Sequence, residues 1–197
     1  MDTTIFPPKF ATNGEKTVFP SIFSYDEKRL KKDHFICQDQ MTQIHIFSVG
    51  KWKKGPEKDL YDHFHARMKW QIVLHQMDDK AASFLTPDQV RDNQAEKLLP
   101  LLAKTPLAYR IALDEKGQQL SSLQLTGQFQ QCFNQSLIPT FLIGGDHGLR
   151  HDIVKNAHLT LSFGKVTWPH LLVLGLLSEQ LYRSQQILGG HPYHRQS

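Results

Sequence analysis

The stretch FLIGGDHGLR, residues 141–150, decides how this chain is read. An apolar run stops at Gly144-Gly145, and a short helical pattern from about Leu149 to Asn156 follows. That is a strand, a tight glycine turn and a helix. The same grammar recurs in LTLSFGKVTWPH, residues 159–170, where the strand Leu159–Phe163 ends at Gly164. A long apolar segment then runs from near His170 to about Leu188 and closes at Gly189-Gly190, where glycine suits a helix C-terminus. The polar tail HPYHRQS, residues 191–197, lies beyond it.

Outward from this stretch, strands and helices alternate. Leu137–Ile143 is the strand feeding the first glycine turn, and Ser121–Asn134 before it reads as a surface helix. Tyr109–Leu113 (YRIAL) is a further strand, closed by the turn Asp114-Glu115-Lys116-Gly117. Thr86 caps a helix that has Pro87 at its first position and runs to about Lys104, with Leu98, Leu99, Leu101 and Leu102 inward and a kink or break at Pro100. Gln43–Val49 and Trp70–Leu74 are the first two strands, joined by a basic loop, Lys51–Gly55, and a helix from Pro56 to Met68. Such alternation predicts an α/β fold: a mostly parallel sheet flanked by helices on both faces. Ligands in these sheets sit at the carboxyl ends of strands, so the loops after Leu113, Ile143 and Phe163 are the expected pocket walls.

Composition bounds the rest. At 197 residues the chain suits one domain, and its 40% hydrophobic and 21% charged content is ordinary for a soluble protein. No apolar window is long enough to span a bilayer, and no secretory signal is legible at the start, so neither a membrane nor an exported location is expected. Cys37 and Cys132 alone make no disulfide framework, which points to the cytoplasm. A net charge of +4 with an isoelectric point near 9.0 permits an acidic partner such as RNA without demanding one. Residues 1–40, with Pro7, Pro8, Pro20 and no sustained periodicity, read as a poorly ordered extension, and Met41 is an alternative start directly before the first strand.

Several features carry candidate chemistry, each beside a plainer reading. The glycines of Gly144-Gly145-Asp146-His147-Gly148 admit a ligand close to the backbone, or simply make a tight turn. Gly164-Lys165-Val166-Thr167 looks like the end of a phosphate-binding loop, but Leu159 stands where that motif needs its first glycine, so an ATP loop is rejected. Trp168-Pro169 fixes the entry to the last helix, as a ligand wall or as a hydrophobic staple. His170, His191 and His194 form no ligand pair at helical spacing, and no metal is expected. Glu179 and Arg183 have the spacing of a surface ion pair, and Tyr193-His194-Arg195 that of an inert chain end.

Taken together, IGGDHG, SFGKVTWPH, SEQLYR and HPYHR, in this order and spacing, resemble the C-terminal part of the bacterial ribosomal large-subunit RNA pseudouridine N3-methyltransferases, of the SPOUT class. MTQIHIFSVGK at Met41 is similar to that family's start, so the resemblance covers residues 41–197 as a single SPOUT methyltransferase domain and leaves the first forty without a counterpart. It implies a C-terminal trefoil knot, a feature otherwise nearly absent from proteins, and a homodimer. It also implies S-adenosylmethionine as cofactor and 23S ribosomal RNA within the ribosome as partner, with no DNA. Carried over by motif, the cofactor lies against Leu113, Gly145, Gly164, Lys165, Val166, Thr167, Trp168 and Pro169. Catalysis falls to His194, Arg195, Tyr193 and Arg183, with His194 the natural proton acceptor, the arginines holding phosphate or developing charge, and Tyr193 stacking on a base. Leu174 departs from the basic residue expected there, which bears on dimer packing or RNA contact. A non-catalytic ribosome-binding or assembly factor of the same fold, and a SPOUT methyltransferase with another RNA target, are the alternatives.

Overall fold

The computed structural model describes residues 42–78 and 85–191; the extension 1–40, Met41 and the tail residues Tyr193, His194 and Arg195 lie outside the described residues. Five strands, β1 (Gln43–Val49), β2 (Gln71–Met77), β3 (Ala108–Gln119), β4 (Ile138–Ile143) and β5 (Leu159–Ser162), form one sheet in the order β2-β1-β4-β3-β5, and every pairing is parallel. The helices are α1 (Pro56–His65), α2 (Pro87–Ala103), α3 (Ser122–Asn134), α4 (His151–Lys155) and α5 (His170–Leu188).

Side-chain alternation along each strand sorts the helices into two layers. Ile44, Ile46, Ile111, Phe141 and Ile143 point to one face, where they meet Tyr61 of α1, Leu125 and Phe129 of α3, and Leu174, Leu177 and Leu181 of α5. Phe47, Val49, Met77 and Leu142 point to the other, against Ala95, Leu98, Leu99 and Leu102 of α2 and Ile153 of α4. The chain therefore leaves β1 toward one face and β4 toward the opposite face. The crevice between the carboxyl ends of these neighbouring strands is the topological switch point.

Local sequence explains most boundaries. Thr86 with Gln89, and Ser121 with Gln124, form complete capping boxes at the starts of α2 and α3. Two expectations are corrected. α2 passes through Pro100 without breaking: that ring faces solvent, while Leu98, Leu99 and Leu102 hold the last turn on the sheet. α3 is no surface helix, since Leu125, Thr126, Gly127, Phe129 and Cys132 are buried, with the Thr126 hydroxyl donating to Ser122 O of the same helix at 2.7 Å.

The turn expected at Asp114–Gly117 is also different. Leu161 of β5 pairs with both Leu113 and Gln118, so the four residues between them bulge out and β3 then rejoins its partner. Gly117 makes the return possible, because a Cβ there would lie 2.7 Å from the Leu161 backbone. Leu174 is fully buried among core residues rather than exposed to RNA or a partner.

Leu177 is likewise 0% exposed. Leu177→Ala should cost about 2–5 kcal/mol in urea unfolding. Near the start of the sheet, His75 Nε2 lies 3.3 Å from His45 Nδ1, and His75 stacks on Phe47. Burial lowers the pKa of both imidazoles below 6.5, and each would repel the other's charge. A folded pKa below the unfolded one means that the unfolded chain takes up more protons. Stability is complete above pH 6.5 and falls as the pH drops through it; His75→Gln should flatten that slope in unfolding midpoints measured between pH 7.5 and 5.5.

Candidate active site

The carboxyl ends of β3, β4 and β5 enclose a cavity of about 690 Å³, a size suited to a small-molecule ligand. Leu113, Gly145, Gly164, Val166, Thr167, Trp168 and Pro169 all line it. Of the cofactor residues expected from sequence, only Lys165 is not among the lining residues; it sits exposed on the same loop.

Each wall has its own physical basis. In the turn after β4, Gly145 and Gly148 form a one-residue bridge, and Gly148 N donates to Gly145 O at 2.9 Å. Gly144 is fixed by crowding, since a Cβ there would fall 2.4 Å from the Gly148 carbonyl carbon. Arg91 of α2 ties the turn down by donating to His147 O at 3.1 Å. In the loop after β5, Ser162 Oγ accepts from Gly164 N at 3.1 Å and donates to Gly164 O at 2.6 Å. Gly164 has φ +126° and nothing within 4 Å of where a Cβ would be, so its backbone is open on that side. The indole of Trp168 is held by one edge, Nε1 donating to Phe163 O at 3.4 Å, and remains 40% exposed.

Glu115, Asp146 and His170, none of them assigned to the cofactor from sequence, belong to its walls. Glu115, carried on the β3 bulge, accepts from Thr167 Oγ1 at 2.6 Å, closing the bulge onto the opposite loop. His170, the first residue of α5, sits in the switch-point crevice with Nδ1 3.1 Å from Asp146 Oδ1. Its Nε2 lies 2.4 Å from where a Cβ of Gly50 would be, and Gly50 also has φ +95°. Glycine at the end of β1 is thus required twice, by backbone conformation and by the imidazole above it. A strand-terminal glycine and a histidine opening the last helix were the available signals; only the fold shows that they meet.

Arg183 is not brought to the cavity. Its Nε and Nη2 both donate to Glu179 Oε1, at 2.9 and 2.6 Å. It stands thirteen residues beyond His170 on α5, roughly 20 Å along the helix axis. Its pairing with Glu179 is the ion pair that the plainer reading expects. Among the described residues no group of three or more His, Cys, Asp or Glu side chains is placed to hold a metal, and no helix is long and apolar enough to cross a membrane.

The family model described as a predicted SPOUT methyltransferase matches residues 42–194. This chain belongs to the SPOUT methyltransferase family. Among curated relatives, the ribosomal RNA large subunit methyltransferase H of Rhodospirillum centenum is 38% identical over 154 residues, spanning 78% of this chain and 99% of the relative. The protein of the same name from Paramagnetospirillum magneticum is 40% identical over 151 residues, spanning 76% and 97%. A crystal structure of a probable methyltransferase from Bordetella pertussis Tohama I covers 73% of this chain and 96% of its own, at 12% identity and a TM-score of 0.48. In this SPOUT methyltransferase the unusual backbone at Gly164 is a local liability. Gly164→Ala should cost about 1–3 kcal/mol in urea unfolding, although the added methyl touches nothing.

Proposed function

We propose that this chain transfers a methyl group from S-adenosylmethionine to N3 of a pseudouridine in 23S ribosomal RNA, acting on the assembled ribosome as a homodimer. The observation that carries the reading is the coincidence of two lines. The relatives that match over nearly their whole length are named as large-subunit ribosomal RNA methyltransferases. Seven of the residues assigned to the cofactor by motif line one cavity at the strand ends. The cavity also fits the cofactor chemically. Leu113, Ile143 and Val173 offer apolar surface, and Gly148 and Gly164 leave open space beside the main chain. The C-terminal trefoil knot and the cytoplasmic location belong to the same proposal, as does the division into an extension, 1–40, and one SPOUT domain, 41–197.

When bound, the cofactor supplies an electrophilic methyl group on a sulfonium. The protein's part is to align donor and acceptor, exclude water and receive the proton leaving the imide nitrogen. Glu115 and Thr167 hold the two cavity walls together for alignment. In this proposal the proton goes to His194, with Tyr193, Arg183 and Arg195 on the RNA.

Chain geometry supports the second copy. α5 has 19 residues, about 28 Å of helix, and the cavity lies at its first residue. At its other end Gln185 contacts the start of β2, the opposite edge of the sheet. From Leu188 to His194 six further residues reach at most about 22 Å, less than the helix they would have to retrace. In this proposal His194 of one chain serves the cavity of its partner, in a two-fold pair.

Methyl transfer to purified ribosomes should require the pseudouridine; equal transfer without it would redirect the assignment to another RNA target. Gly145→Val should abolish cofactor binding, and His194→Ala should abolish turnover while cofactor affinity is kept. Mixing and re-pairing these two inactive proteins should restore roughly a quarter of wild-type activity, because mixed dimers hold one intact site. No recovery would sink the shared-site arrangement.

A further inference from the structure

The charges around the cavity mouth divide unevenly. Among the described residues, the acidic side chains on the surrounding loops each have a hydrogen-bond or ion-pair partner. Asp146 meets His170, Glu115 accepts from Thr167, and Asp114 Oδ1 accepts from Lys116 N at 2.8 Å. Asp88 pairs with Arg91, and Asp78 takes Lys51 at 2.9 Å. The lysines are left over. Lys53 and Lys54 lie on the exit loop of β1, Lys116 on the β3 bulge and Lys165 beside Gly164, all exposed. None of their ammonium groups has a carboxylate within ion-pair distance among the described residues.

Placement makes this more than a solvated surface. All four lysines sit on segments that leave the carboxyl edge of the sheet, where the cavity opens. The β1 loop begins at Gly50, directly beneath the His170 ring. The β3 bulge and the β5 loop are joined to each other by the Glu115–Thr167 hydrogen bond. Lys116 lines the cavity and Lys165 stands on the loop joined to it, while Lys53 and Lys54 follow Gly50 on the β1 exit loop beside His170. A set of exposed ammonium groups without a carboxylate partner among the described residues is thus gathered at this edge of the sheet. It fits a polyanion.

We propose that Lys53 and Lys54, with Lys116 and Lys165 opposite, form a phosphate-contacting rim that seats the RNA backbone across the cavity mouth so that the target base points inward. This rests on the reading of the chain as an RNA methyltransferase. Lysine ammonium groups supply sequence-independent contacts that fix position, while choice of base is left to the cavity.

The test compares wild type with Lys53→Ala/Lys54→Ala, with Lys116→Ala/Lys165→Ala, and with a control of equal charge change, Lys104→Ala/Lys155→Ala. Affinity for a stem-loop RNA carrying pseudouridine in its loop is measured by filter binding from 50 to 200 mM salt. Each rim pair should weaken binding on the order of tenfold and reduce the slope of log affinity against log salt by about 1.5. S-adenosylmethionine affinity of Lys53→Ala/Lys54→Ala, measured by calorimetry, should stay within twofold of wild type. Unchanged slopes in both rim pairs, or an equal change in the control, overturn the rim. Failure of the wild-type protein to methylate ribosomes refutes the functional reading by itself, and the salt slopes still judge the rim.

Discussion

The structure depends on the burial of α5 along one whole face of the sheet. Leu174, Leu177 and Leu181 are each 0% exposed, and full burial of a leucine contributes about 1.5–3 kcal/mol before packing is counted. Gly175 lets α1 approach closely, since a Cβ there would lie 2.9 Å from Leu60 Cδ2. On the far flank Ser122 of α3 donates to Gln180 at 2.8 Å. α5 is thus fixed by the sheet below and by a helix on either side. Both of its ends then acquire defined positions, one beside the cavity and one at the opposite edge of the molecule.

At the cavity end, three loops that share no sequence neighbourhood are joined by hydrogen bonds and one steric fit. Glu115 to Thr167 links the β3 bulge to the β5 loop, Asp146 to His170 links the glycine turn to α5, and Gly50 receives the imidazole. The carboxylates of Glu115 and Asp146 are held in place by these links, while Lys116 and Lys165 stay exposed beside them without a carboxylate partner among the described residues. A net charge of +4 spread over the chain would say little about a partner; its residue after local pairing says more.

Much of this was legible in advance because it depends on short-range rules. Glycine after an apolar run marked the ends of β1, β4 and β5, and Thr86 and Ser121 opened helices through contacts three residues away. What escaped depends on partners distant in sequence. Leu161 draws β3 back after its bulge, so a turn by local chemistry became part of a strand. Pro100 is tolerated because tertiary packing outweighs its missing amide. Glu115 and Asp146 are unremarkable until Thr167 and His170, 52 and 24 residues away, are placed beside them. Lys165, grouped with its neighbours by motif, stands exposed on that loop and is not among the lining residues.

The stapling of the last turns of α5 has a consequence for how this molecule can vary. Gln185 Oε1 accepts from both Lys69 N and Trp70 N, at 2.6 and 3.0 Å, and Arg67 donates to Tyr182 Oη at 2.7 Å. The helix is therefore pinned at both ends and acts as a gauge block. Insertion or loss of one turn would displace one end by about 5.4 Å and unseat either His170 or Gln185. Loops on the surface are free to lengthen, but the span of this helix is a fixed dimension. Any surface that two copies share across it inherits that dimension.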